Sequence, residues 1–389
     1  MRNVLISGAG VAGLVLAYWL RRNGFSVTVV ERAPGLRRGG QAVDIRGVAL
    51  EVMERMGLGE RMRAARTRMR GMSMMDGDGN ELFRSEERTF SSGRLDSEDV
   101  ELLREDLVAM LYEATRGRVE YVFDDSISTL QQDENGVRVQ SENGVIRAFD
   151  IVIGADGARS IVRRLAFRPE QHLSKHLGQY AATFSMTNFL KLDNWQMWFR
   201  DETAGAGGAL YPVRGNTELR ITLGFISDPV AYDYRDIQQQ KQIVTRRLAG
   251  VGWETPKLLA AMADAPDFSF DAMAQIHMDR WSVGRVALVG DAGYCASPLS
   301  GQGTSLALVG AYVLAEELSR PDIGHAAAFA AYERRMRPFV ALNQALATEN
   351  PTGPPAEESV ERAKYAISLD AAGPDAGAAH GDRGHLPPP

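Results

Sequence analysis

At 389 residues, 44% of them hydrophobic, the chain is long for one domain and carries ample apolar material for more than one core. Its formal net charge of -6 supplies no electrostatic footprint for nucleic acid or an anionic membrane, and its one cysteine, Cys295, excludes an internal disulfide and any multi-cysteine metal site. No uninterrupted apolar run is long enough to span a bilayer, so the expectation is a cytoplasmic protein with no metal, no nucleic acid and no membrane partner.

The opening residues organise the rest. An apolar run at 4–6 meets the glycines Gly8, Gly10 and Gly13 of GAGVAG, an apolar helical segment follows to Arg22, and a β-branched run at 27–30 ends in Glu31. That order predicts strand, tight turn, helix, strand. Gly8 permits the turn, Gly10 lets backbone approach a pyrophosphate, and Gly13 lets the helix pack closely on the sheet. The helix N-terminus favours the phosphate charge, and Glu31 stands where a carboxylate accepts hydrogen bonds from an adenosine ribose. The other reading of a basic residue before an apolar run, a secretory leader, conflicts with the glycines inside the run and with Arg21 and Arg22 directly after it.

Next comes a polar loop, APGLRRGGQAVDIRG, whose Arg37, Arg38 and Arg46 are either phosphate ligands or a solvated basic face. An amphipathic helix is expected over 48–56. Apolar residues at 102, 103, 107, 110 and 111 predict a helix over 101–115 with Arg104 on its first turn. A β-meander is expected at 119–123, 127–131, 137–140 and 145–149, broken by DENG and ENG turn signals. It leads into DIVIGADGARSIVRR, a second strand and glycine turn with Asp156 and Gly157 at its crest. Between 165 and 270 the texture changes to strands at 180–187, 196–200, 208–213 and 218–226, followed by helices at 236–248 and 256–263. A third motif, RVALVGDAGYCASPLSGQGTSLALVGAYVLAEELSR, reads as a strand at 286–289, a turn at Gly290 and Asp291, a loop through Pro298, Gly301 and Gly303, and a buried helix. Helices at 326–346 and 359–369 follow, and the Pro- and Gly-rich end reads as a disordered tail.

The set GAGVAG, Arg104 in LLREDL, GADGARSIVRR and GDAGYCASPLSGQGTSLAL, in that order, resembles the single-component FAD-dependent aromatic hydroxylases of the para-hydroxybenzoate hydroxylase family, and among them the short tetracycline-destroying monooxygenases. The resemblance runs from residue 1 to about 350. It implies an α/β fold: a Rossmann-like FAD-binding domain at 1–70, 101–164 and 276–349, with an inserted β-sheet substrate domain at 165–275, an excursion at 71–100, and a C-terminal helix and tail at 350–389. It further implies that Gly8, Gly10, Ala12, Gly13 and Glu31 hold the ADP half of FAD, and that Arg32 and Arg104 face its phosphates. Asp44 is a further cofactor contact, Asp156 and Gly157 are shared between FAD and the nicotinamide donor, and Gly290 and Asp291 bind the ribityl chain. Pro298, Gly301, Gln302, Gly303 and Thr304 run beside the isoalloxazine. Where most members have His, this chain has Tyr294, so no role passes to that position.

The activity so implied uses NADPH or NADH and O2 to hydroxylate an aromatic or polycyclic small molecule through a flavin C4a-hydroperoxide, in a monomer or weak homodimer. The protein contributes positioning, electrostatics and a dry pocket, and no acid or base is identified. Met186, Trp198, Tyr211, Arg220 and Thr222 are the substrate-pocket residues this reading selects, each with ordinary sheet packing as the competing role. Lone His277 and Cys295 read as structural. Two other functions stay open: an FAD-dependent reductase of a prenyl or other unsaturated substrate, and a non-catalytic dinucleotide-binding protein.

Overall fold

The computed structural model describes residues 2–37, 39–167, 173–350 and 353–370. Arg38 and the Pro- and Gly-rich end from 371 lie outside them. Among the described residues, no helix is long and apolar enough to cross a membrane.

Two β-sheets carry the molecule. The first has six strands in the order Ser282–Val283, Val286–Leu288, Ile151–Gly154, Asn3–Ser7, Ser26–Glu31 and Glu120–Phe123, all parallel except the first pair. Parallel strands are covered on both faces, which is why 4–6 and 151–153 are continuous apolar runs and 27–30 is a buried β-branched one. The helices Val11–Arg22 and Gly303–Leu318 cover one face, and their Leu14, Leu16, Leu308 and Val313 are fully buried in one core. Glu120–Phe123 pairs with Ser26–Glu31 in this sheet. The expected four-stranded meander is therefore a three-stranded antiparallel sheet, Ile127–Gln132, Val137–Ser141 and Ile146–Phe149.

The helix expected over 101–115 begins at Arg104. Residues 100–103 instead form a strand, Val100–Leu103, antiparallel to Ala42–Ile45 and buried throughout. Its leucines are apolar because both faces are covered, a pattern that periodicity alone cannot tell from a buried helix.

The second sheet has seven strands: Ser269–Ile276, Ser174–Thr187, Glu218–Ile226, Ala206–Val213, Trp195–Asp201, Gly71–Met75 and Glu81–Ser85. It contains the four expected strands plus three that sequence texture did not show. One face packs on the helices Ile237–Leu248 and Thr255–Asp264, burying Tyr180, Ala182, Phe184, Leu219, Ile221, Leu223 and Phe225 against Val244, Leu248, Leu258 and Met262. By the two-residue period of a strand, Ala181, Thr183, Thr222 and Gly224 lie on the opposite face, which looks back towards the first sheet.

Candidate flavin and substrate site

A cavity of about 1620 Å³ lies between the two sheets. That exceeds the roughly 300–1,000 Å³ of a site for one small molecule, so it has room for two ligands side by side.

One wall is backbone. Gly8 (φ 107°) leaves no room for a Cβ, which would lie 2.5 Å from the Ala155 carbonyl oxygen, and a Cβ on Gly13 would lie 2.0 Å from the Gly8 oxygen. These two glycines weld helix to sheet. Gly10 differs: a Cβ there meets no protein atom within 4 Å, so its smallness serves the cavity rather than the fold. The helix that follows has no side-chain cap, and neither does Gly303–Leu318, which starts at the same cavity. Both therefore present free N–H groups and the positive end of a helix dipole.

Acidic and basic side chains punctuate this wall. Glu31 accepts from the Ala9 and Ala33 N–H groups at 2.8 and 3.0 Å, which fixes its carboxylate at the strand end. Asp156 Oδ2 accepts from Ser7 and from the N–H groups of Ile161 and Val162, whereas its buried Oδ1 has no partner; burial raises its pKa. Asp291 opens into the cavity but is walled by protein on its other sides, and that desolvation raises its carboxyl too. Arg104, desolvated and crowded by Arg37, makes no ion pair among the described residues. An unpaired, nearly buried cation is costly unless an anion joins it.

Most of the expected cofactor residues line this cavity: Gly8, Gly10, Ala12, Glu31, Arg32, Asp44, Arg104, Asp156, Gly157, Asp291, Pro298, Gly301, Gly303 and Thr304. Three stand behind it. Gly13 packs on Gly8, Gly290 (φ 66°) turns the chain against Ala12, and Gln302 is fully buried with both amide atoms unpartnered. Arg46, considered above as a phosphate ligand or surface residue, is neither. It is buried against Gly301, pairs with Asp44 at 3.0 Å and donates to the Ser91 carbonyl. Asp44 keeps an unpartnered Oδ1, and burial, opposed by Arg46, pushes its pKa up to about 7.

The opposite wall is side chain. Met74, Trp198, Ala209, Thr222, Thr183 and Ser269 form one cross-strand row over six strands, each paired with the next, and all face the cavity. Gly207, Gly224 and Ala181 extend a floor of small residues beside it. Trp198 rises at one end, edge-on to Phe90 at 5.4 Å, with its indole N–H on Gln196.

Of the five expected pocket residues, Trp198, Tyr211 and Thr222 reach the cavity and two do not. Met186 has the parity of Phe184 and packs into the helix-covered core. Arg220, 3% exposed, is held by Glu105, Glu218, Asp267 and Ser185. Phe90 and Ser91 were missed because nothing local in SEERTFSSGR marks a pocket; a chain excursion carries them there. Tyr294 is a core residue, its hydroxyl on Tyr332 at 2.9 Å and its pKa pushed up to about 12 by burial. Cys295 lines the cavity with its thiol raised by burial, hence protonated and inert.

The geometry defines a dinucleotide-binding protein whose cavity extends across to the second sheet. Residues 1–346 match the model of the FAD binding domain family. An uncharacterised protein of Mycobacterium tuberculosis is 54% identical over 95% of this chain and 99% of its own. A flavin-dependent monooxygenase of Legionella longbeachae is 40% identical over 88% of this chain and 86% of its own. The crystal structure of tetracycline destructase Tet(51) superposes with a TM-score of 0.86 at 34% identity, over 96% of this chain and all of that one. The chain thus belongs to the FAD-binding family and, within it, to the flavin-dependent monooxygenases, with FAD as cofactor. The site agrees on its own terms: the open space at Gly10, the unpaired Arg104 and the orphaned Asp156 oxygen fit a bound pyrophosphate and its hydroxyl-bearing linker.

Proposed function

We propose that this chain hydroxylates a flat polycyclic aromatic compound, held between the small-residue sheet floor and a flavin ring seated beside Pro298–Thr304. The observation that carries the reading is that floor. Its three central strands, about 10 Å across at the usual strand spacing, present Ala181, Thr183, Ala209, Gly207, Thr222 and Gly224 to the cavity. Such a surface accepts a broad planar ligand, and Trp198 supplies an aromatic edge against it. The tetracycline destructases among its structural relatives support the substrate class.

In this reading Gly8, Gly10, Ala12, Gly13, Glu31, Arg32 and Arg104 seat the ADP half, Asp156, Gly157, Gly290 and Asp291 the middle of the cofactor, and 298–304 the ring. FAD, reduced by NADH or NADPH, supplies the activation of O2. The chain's residues do the rest. The uncapped N-terminus of Gly303–Leu318 favours negative charge on the ring edge. The sheet and the Phe90–Trp198 pair exclude water. Asp44, titrating near 7 with a free Oδ1, holds or releases a proton there at neutral pH. The expected division at residues 70, 100, 164, 275 and 349 finds support in strands Gly71–Met75 and Glu81–Ser85, which join the substrate sheet. The single buried cysteine suits a reducing cytoplasm.

The test uses tetracycline and other fused-ring phenols with NADPH under 18O2. The reading predicts substrate-stimulated NADPH oxidation and a product carrying one heavy oxygen atom. NADPH oxidation coupled to reduction of a double bond, with no label incorporated, would favour the reductase.

A further inference from the structure

Tyr211 and Arg220 were expected in the substrate pocket, yet the Tyr211 hydroxyl and both Arg220 Nη atoms are committed elsewhere. They are cross-strand partners on Ala206–Val213 and Glu218–Ile226; Tyr211 reaches the loop at 39–42 directly and Arg220 through Glu105, and that loop enters the cavity wall at Gln41 and Ala42 and runs on to Asp44. The Tyr211 hydroxyl accepts from the Ala42 N–H at 2.6 Å. Arg220 pairs through Nη2 with Glu105 Oε1 at 2.6 Å, and Glu105 Oε2 accepts from the Gly39 N–H at 2.7 Å. Between these points the Gln41 carbonyl accepts from the Arg104 N–H at 3.2 Å.

The loop is also pressed on the sheet's ion cluster. Gly39 has φ 74°, and a Cβ there would lie 2.8 Å from Asp267, itself bonded to Ser185 and paired with Arg220 at 3.4 Å. Arg214 adds a second cation on Glu105 at 2.7 Å. A buried charge cluster of this kind is weakly stabilising at best, because desolvation offsets the attraction between its members, so its stability does not explain it. What it does is join the substrate sheet to the first turn of Arg104–Thr115, where the unpaired Arg104 faces the cavity.

We infer that Tyr211, Arg220 and Glu105 are positioning residues that set the cofactor-facing loop at 39–42 from the substrate sheet, so that the seat of the flavin depends on the state of that sheet. The inference rests on the FAD reading of the cavity. By linkage, whatever shifts the sheet changes flavin affinity, and the converse.

The experiment uses the full chain as Tyr211→Phe, Glu105→Gln and the double variant, with Arg220→Lys to retain the charge without the fork. Flavin affinity is read by titrating apoprotein with FAD, loop order by hydrogen–deuterium exchange of the Gly39 and Ala42 amides, and integrity by apoprotein Tm. Each single variant is expected to speed exchange at 39–42 and weaken FAD about tenfold, the loss of one hydrogen bond to a charged or buried group, with Tm within about 3 °C of wild type. The double variant should weaken FAD by less than the product of the singles, because both release the same loop, and Arg220→Lys should fall between wild type and Glu105→Gln. Faster loop exchange with wild-type flavin affinity in both singles overturns the inference while leaving the FAD reading intact. A wild-type chain that takes up no FAD overturns both.

Discussion

The two walls of the cavity are built from different parts of the polypeptide. The cofactor wall is backbone: glycines that a Cβ would ruin, and uncapped helix ends. The substrate wall is side chain, set out in cross-strand rows whose meaning depends on which face each residue takes. A wall made of backbone admits few sequences and binds a fixed ligand. A wall made of side chains on a pleated sheet can be re-cut one residue at a time without disturbing the fold, which suits a family whose members share a cofactor and differ in substrate.

The sharpest way to break that contrast is at Gly13. Its missing Cβ would overlap the Gly8 carbonyl at 2.0 Å, so Gly13→Val should cost the fold at least about 3 kcal/mol by overpacking, seen as a collapse of Tm or of soluble yield. Next in size is Arg104→Met. Removing this cation should weaken FAD by about 10- to 100-fold, one or two charge-assisted hydrogen bonds, while apoprotein stability is unchanged or rises because an unpaired, half-buried charge has gone; FAD titration beside a thermal melt reads both. On the other wall, Ala209→Trp fills the centre of the floor. It should raise KM for a polycyclic substrate about tenfold or more, on the scale of a lost apolar contact area, with flavin content untouched.

The smallest effect is at Asp44. Its carboxyl titrates near 7 in the fold and at 3.8 in its ordinary state, so the folded apoprotein binds the proton more tightly than the unfolded chain. Its contribution is most favourable below about pH 4, falls as pH rises towards 7 and is flat above. Asp44→Asn should therefore gain stability relative to wild type as pH rises from 4 to 7, measured as the difference in denaturation midpoint. A difference that does not change with pH would show that this carboxyl does not titrate there.

The same contrast explains what the amino-acid sequence discloses. GAGVAG, Asp156-Gly157, Gly290-Asp291 and the Pro298–Thr304 loop are legible because a turn, a close approach or a helix start requires those residues; the three strands before them and the helices Val11–Arg22 and Gly303–Leu318 stand where expected, whereas the short helices Ile161–Ala166 and Asp291–Tyr294 were not expected. Leu102 and Leu103 misled because a strand buried on both faces looks like a helix face. Ser269–Ile276, with two Ala, an Asp and a Gln among its eight residues, carries little strand propensity and takes its shape from pairing with Ser174–Thr187. Alternation along 219–225 correctly separated core from opposite face, yet it does not say which opposite-face residue meets a ligand: Thr222 reaches the cavity, whereas Arg220, two residues away, is tied up by carboxylates. Phe90 and Asp44 Oδ1 acquire their places from distant chain segments, information no local pattern holds.

The most direct test of the account is Gly10→Val, because of Gly8, Gly10 and Gly13 it is Gly10 that leaves protein space free at its Cβ. Flavin stoichiometry by absorbance, measured with apoprotein Tm on the same sample, should show one FAD per wild-type chain and none on the variant at an unchanged Tm. A Gly10→Val protein that retains a full complement of FAD would contradict the placement of the cofactor on this turn.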